Sequence, residues 1–524
     1  MLLRSDGHNT KAERPLSERA AAVIRTKSGS LLLCALIAAI LLMVLSGCGG
    51  RYFHDVDRQA ETQPFSDLGS LPVKEYWTGV IFNGSKIGFT HFRIYPSPTD
   101  KDLFEIHSRA YIHFRFLMME KMISMQSHDL VDKDLKLVRF TCEHDLDGSR
   151  LRQSGILHDG ILDIVRTSGS ESSSEKVRLQ GDIYPGSVVY LLPYMKGLKT
   201  GKKFSYQIYD TEFREVADVA QEVLAYQTSD LFSGEAFKVE TVYKGQKITS
   251  WLDHQGLPLL EMALGNVLIS GLETESEAKH YLVEAGLNKD ETLLTFSLVK
   301  SDRPINDPAK ATHLELVIMD VPENASIPSD ERQACERLGS DVVCRIEAGG
   351  SIRQGQGTGS FLEPYLKPSY AVPSGNSEIR ALAARITEKD SGANAQIRSL
   401  LHWMKENIEK DPTDAFTAGE VLARKKGECQ GHSYLYTAFA RSLGIPTRVA
   451  NGIVYSEQHK GFLYHAWAES FVEGRWISVD PTFDQMPSDA THIKFIEGET
   501  PASLMPIVSF MGRIRIAVRE IRYE

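Results

Sequence analysis

The 524-residue sequence is poor in cysteine, lacks long basic runs and has one long hydrophobic run. Six cysteines are too few for a disulfide scaffold in a chain of this length. A formal net charge of -10 without a basic run argues against nucleic acid as a partner. Apolar and charged fractions of 42% and 24% exclude collagen-like and largely disordered chains. At about 100–200 residues per domain, the length predicts two to four domains.

The hydrophobic run covers the fifteen residues Leu31–Leu45 and follows Arg25 and Lys27. A membrane-spanning helix needs about twenty such residues, so the run is short for a span and typical of a signal peptide core. The segment Leu45-Ser46-Gly47-Cys48 comes directly after it. This segment resembles the lipobox of bacterial lipoproteins, in which the cysteine is lipid-modified.

The lipobox resemblance implies that residues 1–47 are a signal peptide and that Cys48 becomes a lipid anchor. The rest of the chain would then lie outside the cytoplasm, in the cell envelope. Gly49, not aspartate, follows the cysteine, so we expect the periplasmic face of the outer membrane if the organism has one. The alternative is an uncleaved N-terminal anchor. Mixed charges before the run predict that translation starts nearer Val23.

Strand patterns dominate after a polar tether at 48–71. Alternating or β-branched runs recur through 72–300, and Asn83-Gly84 predicts a two-residue hairpin turn. Strands separated by short turns predict an all-β domain with an antiparallel, curved or barrel-like sheet. No catalytic constellation appears in this domain, so we expect it to bind or to act as a spacer.

Residues 301–370 are predicted to be a transitional segment or linker. Its glycine-rich part around Gly355–Gly359 has no following lysine and no strand-to-helix setting, so a flexible linker is favoured over a nucleotide loop. Cys335 and Cys344 are nine positions apart and are a possible disulfide in an exported protein. Cys142 would then be unpaired and buried as a small apolar side chain.

Helical periodicity begins after residue 375 and defines a second domain over 371–524. Apolar side chains recur at helical spacing within 379–386, 397–408 and 429–443, and strands are predicted at 447–455, 466–472, 476–479 and 513–519. Gly444 and Pro446 end the third helix. Helices followed by strands predict an α+β domain.

Cys429 lies in the first turn of that third helix. A helix N-terminus offers N–H groups and partial positive charge that stabilise a thiolate, so this position favours a nucleophile. The alternative from position alone is a buried structural cysteine. His465 begins one predicted strand and Asp480 ends the next, with a tight turn between the strands, so the two side chains should be neighbours. The three residues match a nucleophile, a base and an orienting carboxylate.

Four segments resemble the transglutaminase-like superfamily: Gly427–Cys429, Gly444–Arg448, His465–Trp467 and Asp480–Thr482. The resemblance covers about residues 380–500 and implies a papain-like fold with a Cys-His-Asp triad. Cys429 would attack an amide carbonyl, His465 would transfer the proton and Asp480 would hold the imidazole. The Cys429 N–H would supply part of an oxyanion hole. No cofactor or metal site is predicted, calcium included, and His492 is taken as structural.

These features predict a lipid-anchored cysteine enzyme that acts on a protein or peptide substrate in the cell envelope through a thioester on Cys429. Water as acceptor would make it a peptidase or amidase, and an amine would make it a cross-linking enzyme. We favour hydrolysis because amine transfer needs a dedicated, partly dehydrated acceptor site. The alternative is a non-enzymatic lipoprotein whose cleft binds a peptide.

Overall fold

The computed structural model describes residues 52–65, 67–82, 84–116, 119–169, 171–287, 298–323, 325–349 and 362–524. Cys48 and the glycine-rich segment around Gly355–Gly359 lie outside the described residues. The described chain divides into two compact units, a small one of 52–57 with 227–235 and a large one of the remainder. Within the described ranges, no helix combines the length and apolar character needed to cross a membrane.

The N-terminal part is dominated by one large sheet. Its strands are β1 (Phe53–Asp55), β2 (Glu75–Phe82), β3 (Ser85–Pro96), β4 (Leu103–Phe116), β5 (Met119–Asp132), β6 (Leu137–Leu146), β7 (Ser149–His158), β8 (Ile161–Ser168), β9 (Glu171–Arg178), β10 (Ile183–Pro185), β11 (Lys203–Asp210), β12 (Glu215–Ser229), β13 (Phe232–Tyr243), β14 (Gln246–Leu252), β15 (Pro258–Ala263) and β16 (Leu268–Glu273). Two helices accompany the sheet, α1 (Leu191–Met195) and α2 (Glu275–Leu287).

Strand order follows chain order from β2 to β9 and from β10 to β16, and β16 pairs with β2. Most pairs are antiparallel, whereas β10 and β11 are parallel. Phe82 is the register partner of Ser85, so two residues connect β2 to β3, as the hairpin signal predicts. In the small unit, β1 pairs with residues 227–229.

The sheet is curved, because side chains from strands far apart in its order share one core. Phe140 of β6 and Ile164 of β8 pack in the same buried cluster as Ile183 of β10 and Tyr209 of β11. The rings of Phe140 and Tyr209 stack with centroids 4.9 Å apart. Cys142 is buried in this cluster and unpaired, as predicted.

Among the described residues, the C-terminal part combines helices with two small sheets and a two-stranded parallel pair, Glu409–Lys410 with Lys426–Gly427. The helices are α3 (Ser377–Ile386), α4 (Ala393–Asn407), α5 (Ala418–Arg424), α6 (Cys429–Ser442) and α7 (Pro501–Val508). The strands are β17 (Val299–Lys300), β18 (Ala311–Met319), β19 (Gln333–Leu338), β20 (Asp341–Glu347), β21 (Glu409–Lys410), β22 (Lys426–Gly427), β23 (Thr447–Ser456), β24 (Gly461–Val472), β25 (Arg475–Val479), β26 (Ile493–Glu497) and β27 (Arg515–Tyr523). An all-β part followed by an α+β part confirms the predicted fold class.

One sheet has the order β17-β24-β23-β26, with β25 also paired to β24, and another has the order β19-β20-β18-β27. The second sheet therefore joins strands of the 301–370 segment to the last strand of the chain. Cys335 and Cys344 are register partners on β19 and β20 and form a disulfide. The domain boundaries given above stay a prediction.

Helix α6 packs across the sheet that carries the candidate site residues. Leu435 and Phe439 of α6 belong to the same buried core as Ala468 of β24 and Val479 of β25. In the same sheet, β23 lies between β24 and β26. Gly452 of β23 lets β26 approach closely, because a Cβ atom at position 452 would lie 1.9 Å from the Ile493 carbonyl oxygen. Packing of this kind fixes the ends of α6, β24, β25 and β26 relative to one another.

Candidate active site

Cys429 is the first residue of α6, and Glu428 caps this helix. The Glu428 carboxylate accepts hydrogen bonds from the N–H groups of Gln430 at 2.6 Å and Gly431 at 2.7 Å. Its Oε2 atom also lies 3.4 Å from Cys429 Sγ. The helix N-terminal N–H groups expected to face the thiolate are therefore engaged by a neighbouring carboxylate.

The pKa of the Cys429 thiol is raised well above its ordinary value, first because the cleft desolvates it and then because the Glu428 carboxylate is adjacent. A hydrogen bond from the Ala466 N–H acts in the opposite direction. Burial in turn raises the pKa of Glu428. The expectation of a thiolate stabilised by the helix N-terminus is wrong for this arrangement, in which the neutral thiol is favoured.

His465 and Asp480 are brought together as the strand pairing predicts. His465 lies on β24, Asp480 directly follows β25, and the His465 Nε2–H group donates to Asp480 Oδ2 at 2.8 Å. The N–H groups of Thr482 and Phe483 donate to Asp480 Oδ1 at 2.7 and 3.1 Å. Since Nε2 is held by Asp480, Nδ1 is the ring nitrogen left to exchange a proton.

His492, which was expected to be only structural, is a second imidazole on the same carboxylate. Its Nε2 atom lies 2.9 Å from Asp480 Oδ2, and its Nδ1 atom lies 3.3 Å from Asp489 Oδ1. Burial opposes the charged ring, but the hydrogen bonds to Asp480 and Asp489 outweigh it and raise the pKa of His492 to about 9. These contacts favour the imidazolium form of His492 at neutral pH.

The two imidazoles keep Asp480 ionised although it is fully buried. Burial alone would raise the pKa of Asp480, but the charges and hydrogen bonds of His465 and His492 hold that pKa far below its ordinary value. The only sequence signal for His492 was its position shortly after Asp480, just before a strand.

The same three residues form a donor set that a cation could use. One ligand atom from each of His465, Asp480 and His492 lies within 4.8 Å of the others. Two imidazoles and a carboxylate suit a divalent transition metal. In the arrangement described, the Nε2 atoms of His465 and His492 both point at Asp480 Oδ2. This geometry is that of a carboxylate that orients two imidazoles through hydrogen bonds.

Cys429 and His465 line one cavity of about 590 Å³. Other side chains on its wall are those of Lys121, Lys410, Asp414, Glu428, Glu457, Phe483 and Gln485. The Phe483 ring stacks on the His465 ring with centroids 4.9 Å apart. The fold and this cavity together define a papain-like arrangement, with a cysteine on a helix facing a cleft that it shares with a carboxylate-bound histidine.

Comparison with known proteins finds a family similarity for this region. Residues 380–481 match the model of the transglutaminase-like superfamily, which confirms the resemblance for that part of the chain. The sequence is 27% identical over 137 residues to the kyphoscoliosis peptidase of Mus musculus, covering 23% of this chain and 20% of that protein. It is 29% identical over 118 residues to the kyphoscoliosis peptidase of Homo sapiens, covering 19% and 17%. The chain thus spans about a fifth of the length of these curated relatives.

Among solved structures, the periplasmic domain of TgpA from Pseudomonas aeruginosa is similar to part of this chain, at 18% identity and a TM-score of 0.27. This similarity covers 33% of the present chain and 70% of that domain.

Proposed function

We propose that this protein is a cysteine enzyme that cleaves a peptide or isopeptide amide through a thioester on Cys429. The observation that carries the proposal is the shared cavity of Cys429 and His465, in which His465 is bound to the buried Asp480 at 2.8 Å. A nucleophile, a base and an orienting carboxylate are the groups that acyl transfer requires.

In the proposed reaction, Cys429 Sγ attacks the carbonyl carbon and its proton passes to His465 Nδ1. The imidazolium then protonates the leaving amine, the C–N bond breaks, and the acyl group stays on sulfur as a thioester. A water molecule activated by His465 hydrolyses the thioester and restores the thiol. Because the pKa of the resting thiol is raised, proton transfer accompanies the attack instead of preceding it.

We favour hydrolysis over amine transfer, because water is the abundant acceptor. An enzyme that favours an amine acceptor needs a drier acceptor site. We further propose that the protein acts in the cell envelope, on the periplasmic face of the outer membrane where one exists, anchored through Cys48 and acting on protein or peptide substrates.

The test compares envelope proteins in cells that produce the wild-type chain, Cys429→Ala or His465→Ala. New protein N-termini should be present with the wild type and absent with both variants, because each variant removes a group needed to form the thioester. Mass spectrometry of labelled N-termini measures this. Amine cross-links that depend on Cys429, in place of new N-termini, would make the protein a transferase.

Cys142→Ala is the matched control, because Cys142 is the other unpaired cysteine of the described residues and is buried in the N-terminal sheet. It should leave the cleavage products unchanged at equal protein levels. Identical envelope proteins in wild type and Cys429→Ala would overturn the enzymatic proposal and leave peptide binding as the function of the cleft.

A further inference from the structure

Four donor groups meet on one face of the N-terminal sheet, far along the chain from Cys429. Tyr95 of β3 is the register partner of Glu105 of β4, and His107 of β4 is the register partner of His128 of β5. Glu105 and His107 are two residues apart on one strand, so they share a face. Ile106 between them is fully buried and points to the other face.

The donor atoms lie close enough together for one small cation to contact them with modest side-chain adjustment. Tyr95 Oη lies 2.7 Å from His107 Nε2 and 3.2 Å from Glu105 Oε2. Glu105 Oε2 lies 3.1 Å from His128 Nε2 and 3.9 Å from His107 Nε2. Zinc bonds of about 2.0–2.1 Å in a tetrahedron place neighbouring ligand atoms about 3.3 Å apart. The four measured separations bracket this value.

The surroundings of these groups also fit a metal site. Ser97 Oγ donates to Glu105 Oε1 at 2.9 Å, which orients the carboxylate and leaves Oε2 facing the imidazoles. The rings of His107 and His128 stack with centroids 4.2 Å apart, and one ligand atom each of Glu105, His107 and His128 lies within 4.8 Å of the others. About a third of each imidazole is exposed (34% and 35%), whereas the Glu105 side chain is 11% exposed. Solvent therefore has access to a partly buried donor set.

We propose that Glu105, His107 and His128, with Tyr95 as a fourth donor, bind a divalent transition metal of the zinc type. Two imidazoles, a carboxylate and a phenol are nitrogen and oxygen ligands that zinc accepts. The metal would tie β3, β4 and β5 together. This site is separate from the proposed catalytic chemistry and does not depend on it.

The test is a calorimetric titration of the purified, chelator-treated protein with Zn²⁺. One zinc ion should bind, and His107→Gln and His128→Gln should each weaken binding at least about tenfold because each removes a ligand. His91→Gln is the matched control, since His91 also contacts a carboxylate on this sheet, Glu75 at 2.7 Å, outside the cluster. It should bind zinc as the wild type does.

His465→Gln separates this site from the cation-compatible group at the active site and should also leave the zinc affinity unchanged. X-ray absorption at the zinc edge should show two imidazoles among nitrogen and oxygen ligands in the wild-type protein. Because this measurement uses no variant, it does not depend on how the variants fold. Absence of stoichiometric zinc, or zinc binding that persists in both His107→Gln and His128→Gln, would overturn the proposal. The cluster would then be a hydrogen-bonded network only.

Discussion

At the scale of single residues, the charge on Glu428 adds to the effect of burial in raising the pKa of the Cys429 thiol. The carboxylate is 3.4 Å from Sγ and also caps α6 through two backbone N–H groups. It therefore stabilises the helix and opposes the thiolate at the same time. Its sequence position, next to the cysteine, gave no sign of this second effect, which depends on how the cap turns the carboxylate toward sulfur.

Glu428→Gln should lower the pKa of the Cys429 thiol, because it removes a like charge beside the thiolate and keeps an oxygen for the helix cap. The measurement is the rate of alkylation by iodoacetamide between about pH 5 and 9. Glu457→Gln, a change of another carboxylate on the same cavity wall, should leave the profile unmoved. Identical profiles for Glu428→Gln and wild type would mean that Glu428 does not control the thiol.

At the scale of elements, a buried group of charges ties β23, β24 and β26 together beneath the site. Glu469 of β24 accepts from Arg448 of β23 at 2.7 Å and from Lys494 of β26 at 2.8 Å. All three side chains are less than a tenth exposed. Burial would raise the pKa of Glu469, but the two cations lower it to about 2. The neighbouring strands thus share one ionised carboxylate.

Glu469→Gln should reduce the free energy of unfolding by about 2 kcal/mol at neutral pH, because it removes the buried carboxylate that Arg448 and Lys494 share. Among the described residues, the two cations then keep only the carboxylates of Glu497 and Asp330, at the edge of the group. The folded pKa lies below the unfolded value of about 4.3, so this contribution is present above that pH and is lost as the pH falls toward 2. Urea unfolding across pH 2 to 7 measures it.

The variant should therefore have a flatter stability profile than the wild type across that acid range. Glu143→Gln removes a carboxylate from a pair with Arg152 in which the side chains are 36% and 65% exposed. It should cost well under about 1 kcal/mol. An equal loss of unfolding free energy in Glu469→Gln and Glu143→Gln would contradict a stabilising role for the buried charges around Glu469.

At the scale of the whole molecule, the N-terminal sheet contributes a side chain to the cavity of Cys429 and His465. Lys121 of β5 lines that cavity, and its Nζ lies 2.9 Å from Asp414 and 3.0 Å from Asp147. Nearby, Arg424 of α5 donates to the Gly148 carbonyl oxygen at 3.1 Å. The sheet, which was expected only to bind or to act as a spacer, thus helps to form a wall of the candidate site.

Lys121→Met should lower the free energy of unfolding by about 2 kcal/mol, because it leaves Asp147 and Asp414 close together without the cation between them. The midpoint of urea unfolding of the full chain measures this. Lys136→Met is the control, since its contact with Asp182 at 2.9 Å involves side chains that are 37% and 58% exposed. Similar midpoints for the two variants would show that the Lys121 contacts do not hold the sheet to the catalytic part.

Much of the architecture could be predicted from local pattern. The apolar stripe of Ile397, Leu400, Leu401 and Met404 predicted a helix, and these four residues are buried on α4. Gly444 was expected to end α6, and its φ of +80° is the left-handed conformation that glycine favours there. Periodicity carries such information because burial selects one face of each element.

The amino-acid sequence by itself determined the fold class, several of the helices and strands, and the superfamily match, since these follow from short-range periodicity and motif spacing. Only the tertiary structure decided that two histidines share Asp480, that Glu428 faces the thiol and that Lys121 reaches the cleft from another part of the chain. These relations join residues through space. They depend on strand register and side-chain direction, which no local pattern specifies.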